Sequence, residues 1–389
     1  MSWPMVTIKS VAKVTTGKTP SKKIESYYGG EIPFISPSEL GNEQYVLSCK
    51  QTLTSEGAAQ IKLVPKDSVL VCCIGSLGKL AIANRELGTN QQINSVTFDH
   101  NKVFPKFGYY ALARLKPQLE SMAPATTVAI VSKSKFELLE IPLPPLAEQK
   151  RIASILDKAD AICRKRQQAI DLADEFLRAV FLDMFGDPVM NPKGWKVSVL
   201  KNIAHIRSGV TKGKKIDLST AITLPYMRVA NVQDGYLALD DVQEIAVSPA
   251  DAQKCKLVSG DILLTEGGDP DKLGRGHVWR DEIPNCIHQN HIFSVRIKDL
   301  NKVRPEFLSA LIASQRGKQY FLKVGKQTTG IATINKTVLS EFEPFIPPVE
   351  LQERYLNIVN AQNIYKRKSM SEENVLFAAL SQKAFSGEL

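Results

Sequence analysis

The 389-residue sequence lacks a long apolar run, a CxxC pair and a nucleotide-binding P-loop, and it holds only five histidines. Each absence removes a class of function. A membrane-spanning helix needs about 20 consecutive apolar residues, and none occurs. Met1 to Thr16 mixes lysine with apolar residues and has no signal-peptide core, so a cytoplasmic location is expected. Cys49, Cys72, Cys73, Cys163, Cys255 and Cys286 stand at no metal-ligand spacing, and the VLVCCIG context of Cys72 and Cys73 reads as a buried strand. Structural thiols in a reducing compartment are expected, without a zinc or redox role.

Catalytic signatures are equally sparse. GVTKGKK at Gly209 and GSLGK at Gly75 lack P-loop spacing. NPKGW at Asn191 carries Lys193 where an amino-methyltransferase motif would have its second proline. His288 and His291 form an HxxH without the following glutamate, and three residues along a strand would splay the two rings apart. Glu148 and Lys150 are the nearest approach to a nuclease carboxylate and lysine, and they lie at a helix entrance. No catalytic, cofactor or metal site is expected in this chain.

What is present is a long helix in mid-chain. Apolar or small residues recur at Ile152, Ile155, Ala159, Ile162, Ala169, Ala173, Phe176 and Val180, with Arg166 the one polar intruder. That spacing predicts a heptad seam. Pro144 and Pro145 suit the entrance; Gly186 and Pro188 suit a left-handed cap and a stop. From Ala147 to Phe185 the helix would extend about 58 Å at 1.5 Å per residue, and a rod of that length needs a partner.

The partner is a second copy in the same chain. Pro347, Pro348, Gln352 and Arg354 answer Pro144, Pro145, Gln149 and Arg151 at an offset of 203, and Phe385 answers Phe185 at 200. The second helix is therefore three residues shorter in register, and a kink or looser seam is expected between Lys366 and Asn374. The globular parts repeat as well: Trp3 aligns with Trp195, Lys9 with Lys201, Gly17 with Gly209 and Pro33 with Pro225, all at 192. LVPKDSVLV from Leu63 then faces LVSGDILLT from Leu257, and NQQINSV from Asn90 faces QNHIFSV from Gln289. FPKFGYYALARL and RPEFLSALIASQ both read as proline-started helices, and GGEIPFIS and TLPYMRV as strands entering a core.

The expected architecture is mixed α/β (α+β): two tandem globular domains, 1–143 and 187–345, joined by two long antiparallel coiled-coil helices, 144–186 and 346–389, in a pseudo-twofold repeat. Charge follows this division. The first globular segment holds 16 Lys+Arg against 11 Asp+Glu and the second 22 against 17, whereas the helices balance at 7 against 7 and 5 against 5. The whole excess of +10 sits on the globular parts, as expected if they face a polyanion and the helices face protein.

MFGDPVMNPKGW with VLKNIAHIRSG, the IPLPPLAEQKRIA helix entrance and the terminal QKAFSGEL resemble the specificity subunit of type I restriction-modification systems, in family order along the whole chain. The resemblance implies a non-catalytic subunit that reads a split double-stranded DNA sequence, one half per globular domain. It implies that modification (methyltransferase) subunits, two in number, dock on the helices with S-adenosylmethionine, and that restriction (translocase/nuclease) subunits bring ATP and Mg2+. The assembled complex would methylate adenine and cleave DNA. A methylation-only system, another restriction class, or a coiled-coil scaffold without DNA binding are the alternatives.

Chemistry nominates the contacts. Lys18, Lys22 and Lys23 follow Gly17, and Lys212, Lys214 and Lys215 follow Gly209. Lysines on glycine-flanked loops suit phosphates, which give affinity without sequence information. Bidentate side chains suit bases: Asn90, Gln91 and Gln92 in one copy, Gln289 and Asn290 in the other, with Arg228, Asn231 and Arg275. Thr126, Thr127, Gln327, Thr328 and Thr329 are weaker candidates for backbone contact. Leu156, Ile170, Leu172, Leu177 and Phe181 widen the apolar arc of the central helix beyond one partner's need and are the expected docking residues, unless the chain's own domains cover them.

Overall fold

The computed structural model describes residues 3–41, 43–123, 128–213, 215–268, 273–328 and 331–388, with backbone only at 326–328, 331, 365–376 and 378. Contacts divide the chain into two compact units, Met1–Gln168 with Lys368–Leu389, and Ala169–Arg367. Each unit thus holds one globular domain, the half of the long helix that follows it and the far end of the other.

The first unit is built on an antiparallel sheet in the order Ala12–Thr16, Ile93–Phe98, Val69–Cys72, Leu80–Ile82. Ile93–Phe98 is buried along nearly its whole length because both of its faces are covered. A second sheet pairs Gln51–Leu53, Tyr28–Ile35 and Gly88–Thr89, and Met5–Thr7 pairs with Glu140–Pro142. The second unit repeats all three. Its main sheet runs Ala204–Ser208, Ile292–Ile297, Ile262–Thr265, Gly276–Val278; Gln243–Val247, Ile222–Met227 and Ile287–His288 form the second, and Lys196–Val197 pairs with Phe345–Ile346. The registers coincide: Val14 and Val69 both face Val96, and Ile206 and Ile262 both face Val295. The second unit adds a sheet of Gly267–Gly268, Ile331–Thr333 and Lys326–Thr328.

The proline-started helices form as expected, Pro105–Ala113 and Pro305–Ala313, as does the Val69–Cys72 strand with its buried thiols. The central helix spans Leu146–Phe185 and the terminal helix Val349–Ser386. Gly186 takes φ +82° and donates its N–H to Leu182 O at 2.8 Å, closing the central helix with the left-handed cap that its position requires. The terminal helix is continuous through Lys366–Asn374; the side chains that would show a looser seam there lie outside the described residues. Among the described residues no helix is long and apolar enough to cross a membrane.

In each unit the beginning of one long helix and the end of the other meet on the same core, as antiparallel partners must. In the first, Ile152, Ala153 and Leu156 share a cluster with Ala384 and Phe385, and the Phe107 and Phe385 rings lie 5.4 Å apart. In the second, Tyr355 meets Phe181 and Phe185, and the Phe185 and Phe307 rings lie 4.9 Å apart. Matched tryptophans tie the helix ends down: Trp3 Nε1 donates to Ala384 O and Trp195 Nε1 to Phe185 O. Two fully buried glutamines seat the helix starts. Phe104 N–H donates to Gln149 Oε1, while Gln149 Nε2 donates to Lys102 O and Pro144 O, all at 2.8 Å. Gln352 repeats this with Arg304 N–H, Lys302 O and Pro347 O at 2.8 to 2.9 Å.

The seam differs in phase from the expected one. The inward line takes Ile152, Leu156, Ala159, Ile170, Ala173 and Phe181, with Leu177 half-buried, whereas Ile162 and Phe176 stay nearly half exposed. Every second inward position thus falls one residue later, about 100° around the helix. The cores that receive the helix decide the phase: Leu156 enters the first unit's cluster and Phe181 the second's. Leu156, Ile170 and Phe181, expected as exposed docking residues, are buried by the chain itself; Leu172, at 64% exposure, stands clear.

Candidate nucleic-acid interface

In both units a lysine loop is pressed against an amide turn. Beyond the Ala12–Thr16 strand, Gly17 N–H donates to Ile93 O at 3.0 Å and Lys18 N–H to Thr89 O at 2.9 Å. A Cβ on Gly17 would lie 2.1 Å from Asn90 O, so only glycine allows the two backbones to approach. Gly209 does the same in the second unit, where a Cβ would lie 1.9 Å from His288 O. There Val210 N–H donates to His288 O at 2.8 Å and Asn290 N–H to Val210 O at 3.0 Å. The sequence nominated the lysines and amides separately; in each unit backbone bonds join the start of the lysine loop to the amide turn.

Lys18, Lys22, Lys23, Lys212 and Lys215 are exposed, and Lys214 lies outside the described residues. The amides divide by what they already hold. Asn90 is engaged with Gln92, accepting its N–H at 3.0 Å and donating to its Oε1 at 2.9 Å. Gln92 Nε2 donates to Ile74 O, and Gln289 Oε1 accepts Val229 N–H at 3.3 Å. Gln91 is exposed, its Oε1 taking the Thr19 hydroxyl proton, and Asn290 is half-buried, its amide nitrogen 3.4 Å from the exposed His291. Gln91 and Asn290 occupy the same place in the repeat, and each amide has one side-chain contact and leaves its other group for a ligand.

Asn231, expected to read a base, is held within the fold. It is buried, accepts Arg228 N–H and donates to Ala238 O and Asp241 O, so every strong group of its amide holds the turn after Ile222–Met227. Arg228 is half-buried, and its Nη2 donates to Asp241 Oδ2 at 2.7 Å and Asp241 O at 2.9 Å, while its buried Nε has no partner among the described residues. Arg275 is half-buried beside the segment 269–272, which lies outside the described residues, as do Thr126, Thr127 and Thr329. Gln327 and Thr328 are described by backbone alone, in the second unit's added sheet.

His288 and His291 diverge as expected, although a turn and not a strand joins them. His288 is fully buried, and burial, with Arg207 nearby, pulls its pKa down to about 4. His291 is exposed and bonds Glu266 at 2.6 Å. Sequence reasoning missed a further feature: an open groove of about 810 Å³ in the first unit, lined by Lys9, Lys13, Lys18, Lys62 and Lys133. Its sequence signal was the outward phase of Lys13 in an alternating strand.

The family model described as type I restriction modification DNA specificity domain matches residues 2–172 and 192–364, once per copy of the repeat. The type I restriction enzyme MjaIX specificity subunit of Methanocaldococcus jannaschii is 24% identical, covering all of this chain and 93% of that one. The EcoKI specificity subunit of Escherichia coli K12 is 22% identical over all of this chain and 89% of its own length. The crystal structure of the type I restriction-modification S subunit from M. genitalium aligns with a TM-score of 0.55 at 18% identity, covering 98% of this chain and 96% of that one.

Proposed function

The chain belongs to the type I restriction-modification DNA specificity family, a non-catalytic family of target-recognition subunits, and from that premise we propose that each of its units reads one half of a bipartite double-stranded DNA target. The observation that carries this reading is the duplicated contact of lysine loop and amide turn, made possible by Gly17 and Gly209. Lys18, Lys22 and Lys23, and Lys212 and Lys215, would take phosphates and fix register, while Gln91 and Asn290 would present amides to base edges.

The two long helices would set the number of unread base pairs between the half-sites, as dimer spacing does in other DNA-binding proteins. They would also dock the modification subunits. Leu172 and Phe176, four residues apart on one face and both exposed, support a surface left for another chain's helices. S-adenosylmethionine, ATP and Mg2+ would reside on the modification and restriction subunits, and the complex would work in the cytoplasm.

A gel shift of the purified chain, with and without its modification subunit, tests the reading at two salt concentrations. Binding carried by phosphate contacts weakens steeply as salt rises. Gly17→Val, which drives the lysine loop off the amide turn, is expected to weaken binding at both concentrations. Salt-independent binding, or unchanged affinity in the Gly17→Val chain, would remove the proposed interface.

A further inference from the structure

The place that matches the first unit's open groove in the second unit is crossed by two arginines. In the second unit it lies between Ala204–Ser208 and the turn at Lys254–Lys256. Asp261, fully buried, accepts Arg207 Nη2 at 3.0 Å and Arg296 Nε and Nη2 at 2.6 and 2.7 Å. Arg207 and Arg296 also donate to Lys254 O and Lys256 O, so the two guanidiniums bridge strand and turn. Nearby, Lys201 is held by Glu341 at 2.6 Å. Here the two guanidiniums are anchored to Asp261 and to the turn, and Lys201 to Glu341.

The shared register identifies what replaces these groups in the first unit. Thr15 faces Ser95 as Arg207 faces Ser294, and Ser68 and Thr97 stand where Asp261 and Arg296 stand. Ser68 and Thr97 bond hydroxyl to hydroxyl at 2.8 Å, which is short and uncharged. With no guanidinium to fill it, the groove opens, and Lys9, Lys13, Lys18, Lys62 and Lys133 line it against the single acid Glu137. Glu137 is taken by Lys133 at 3.4 Å; Lys9, Lys13, Lys18 and Lys62 have no ion-pair partner among the described residues. Lys18 belongs both to the groove and to the loop at the amide turn, so the two surfaces are continuous.

We propose that this groove of the first unit holds the sugar-phosphate backbone of the DNA duplex, and that the second unit, its groove closed by Asp261, Arg207 and Arg296, makes no such contact. The proposal rests on the DNA-reading function above and assigns Lys9, Lys13 and Lys62 to phosphate contact. The two halves of the target are then held unequally: the first unit supplies the larger, salt-sensitive share of affinity.

The test titrates salt with the full chain and a mixed-sequence duplex, since phosphate contacts need no particular sequence. Lys13→Gln with Lys62→Gln is expected to reduce the slope of log affinity against log salt by about 1.8, at about 0.9 per contact. The deficit would shrink about twelvefold between 50 and 200 mM salt by the same relation. Lys13→Arg with Lys62→Arg should keep the slope, and Lys201→Gln in the second unit should leave it unchanged. An unchanged slope in the double glutamine variant overturns the proposal, and so does a fall of about 0.9, one contact's worth, in Lys201→Gln. Should the unaltered chain show no salt-dependent binding at all, the DNA-reading function itself fails.

Discussion

Single side chains decide how each domain is joined to its helix. Gln149 satisfies one backbone N–H and two carbonyls that burial removes from water, and Gln352 satisfies the matching three. Leucine would fill similar space and leave all three unpaired. Gln149→Leu should therefore destabilise the first unit by about 2 to 4 kcal/mol, read from the denaturant midpoint. His288 makes a pH prediction in the second unit. Its folded pKa is about 4 against 6.5 when unfolded, so the unfolded chain binds more protons between those values. Stability is complete above pH 6.5 and falls as pH drops toward 4, by about 3 kcal/mol in full. His288→Gln should remove that part of the acid loss, and identical acid limbs for the two chains would contradict the buried neutral imidazole. At this scale the sequence was legible where a residue type admits one backbone use: Gly17 and Gly209 were matched before the close approach was visible. Asn231 was less legible, because an amide suited to adenine equally suits a turn, and its three bonds here serve the turn.

At the scale of elements, the long helices were legible almost to the residue, because proline entrances and a glycine cap punctuate them and apolar periodicity fills them. Their phase was not. Ile155 and Leu156, or Ala169 and Ile170, are both apolar or small, and a stripe two residues wide leaves the inward line to be chosen by the core it meets. The basic groove was hidden for a related reason. Its openness depends on the absence of Arg207, Arg296 and Asp261 from the matching places in the first unit, a comparison that requires the strand registers. The ruler role proposed for the helices predicts that four residues inserted after Ala169, about 6 Å of helix, lengthen the unread spacer by one or two base pairs at roughly 3.4 Å each. Mapping methylated sites for the insertion variant reads this directly; an unaltered spacer would separate the helices from any measuring role.

For the molecule as a whole, duplication explains the economy of the design. Shared framework positions repeat the sheets, the buried glutamines and the aromatic seats of the helix ends, while the loops and grooves that face outward have diverged. Two matched frameworks with different surfaces can read an asymmetric sequence, and a positive excess confined to the globular domains suits a polyanionic target. The repeat and the charge distribution were visible in the sequence because they are sums over many residues, and errors at single positions do not disturb them. The most direct measurement is base-resolution mapping of adenine methylation in host DNA with and without this gene, its modification subunit being present. Two short specified blocks separated by a fixed number of unspecified base pairs should appear only with the gene. One unbroken block, or no motif that depends on the gene, would contradict the account.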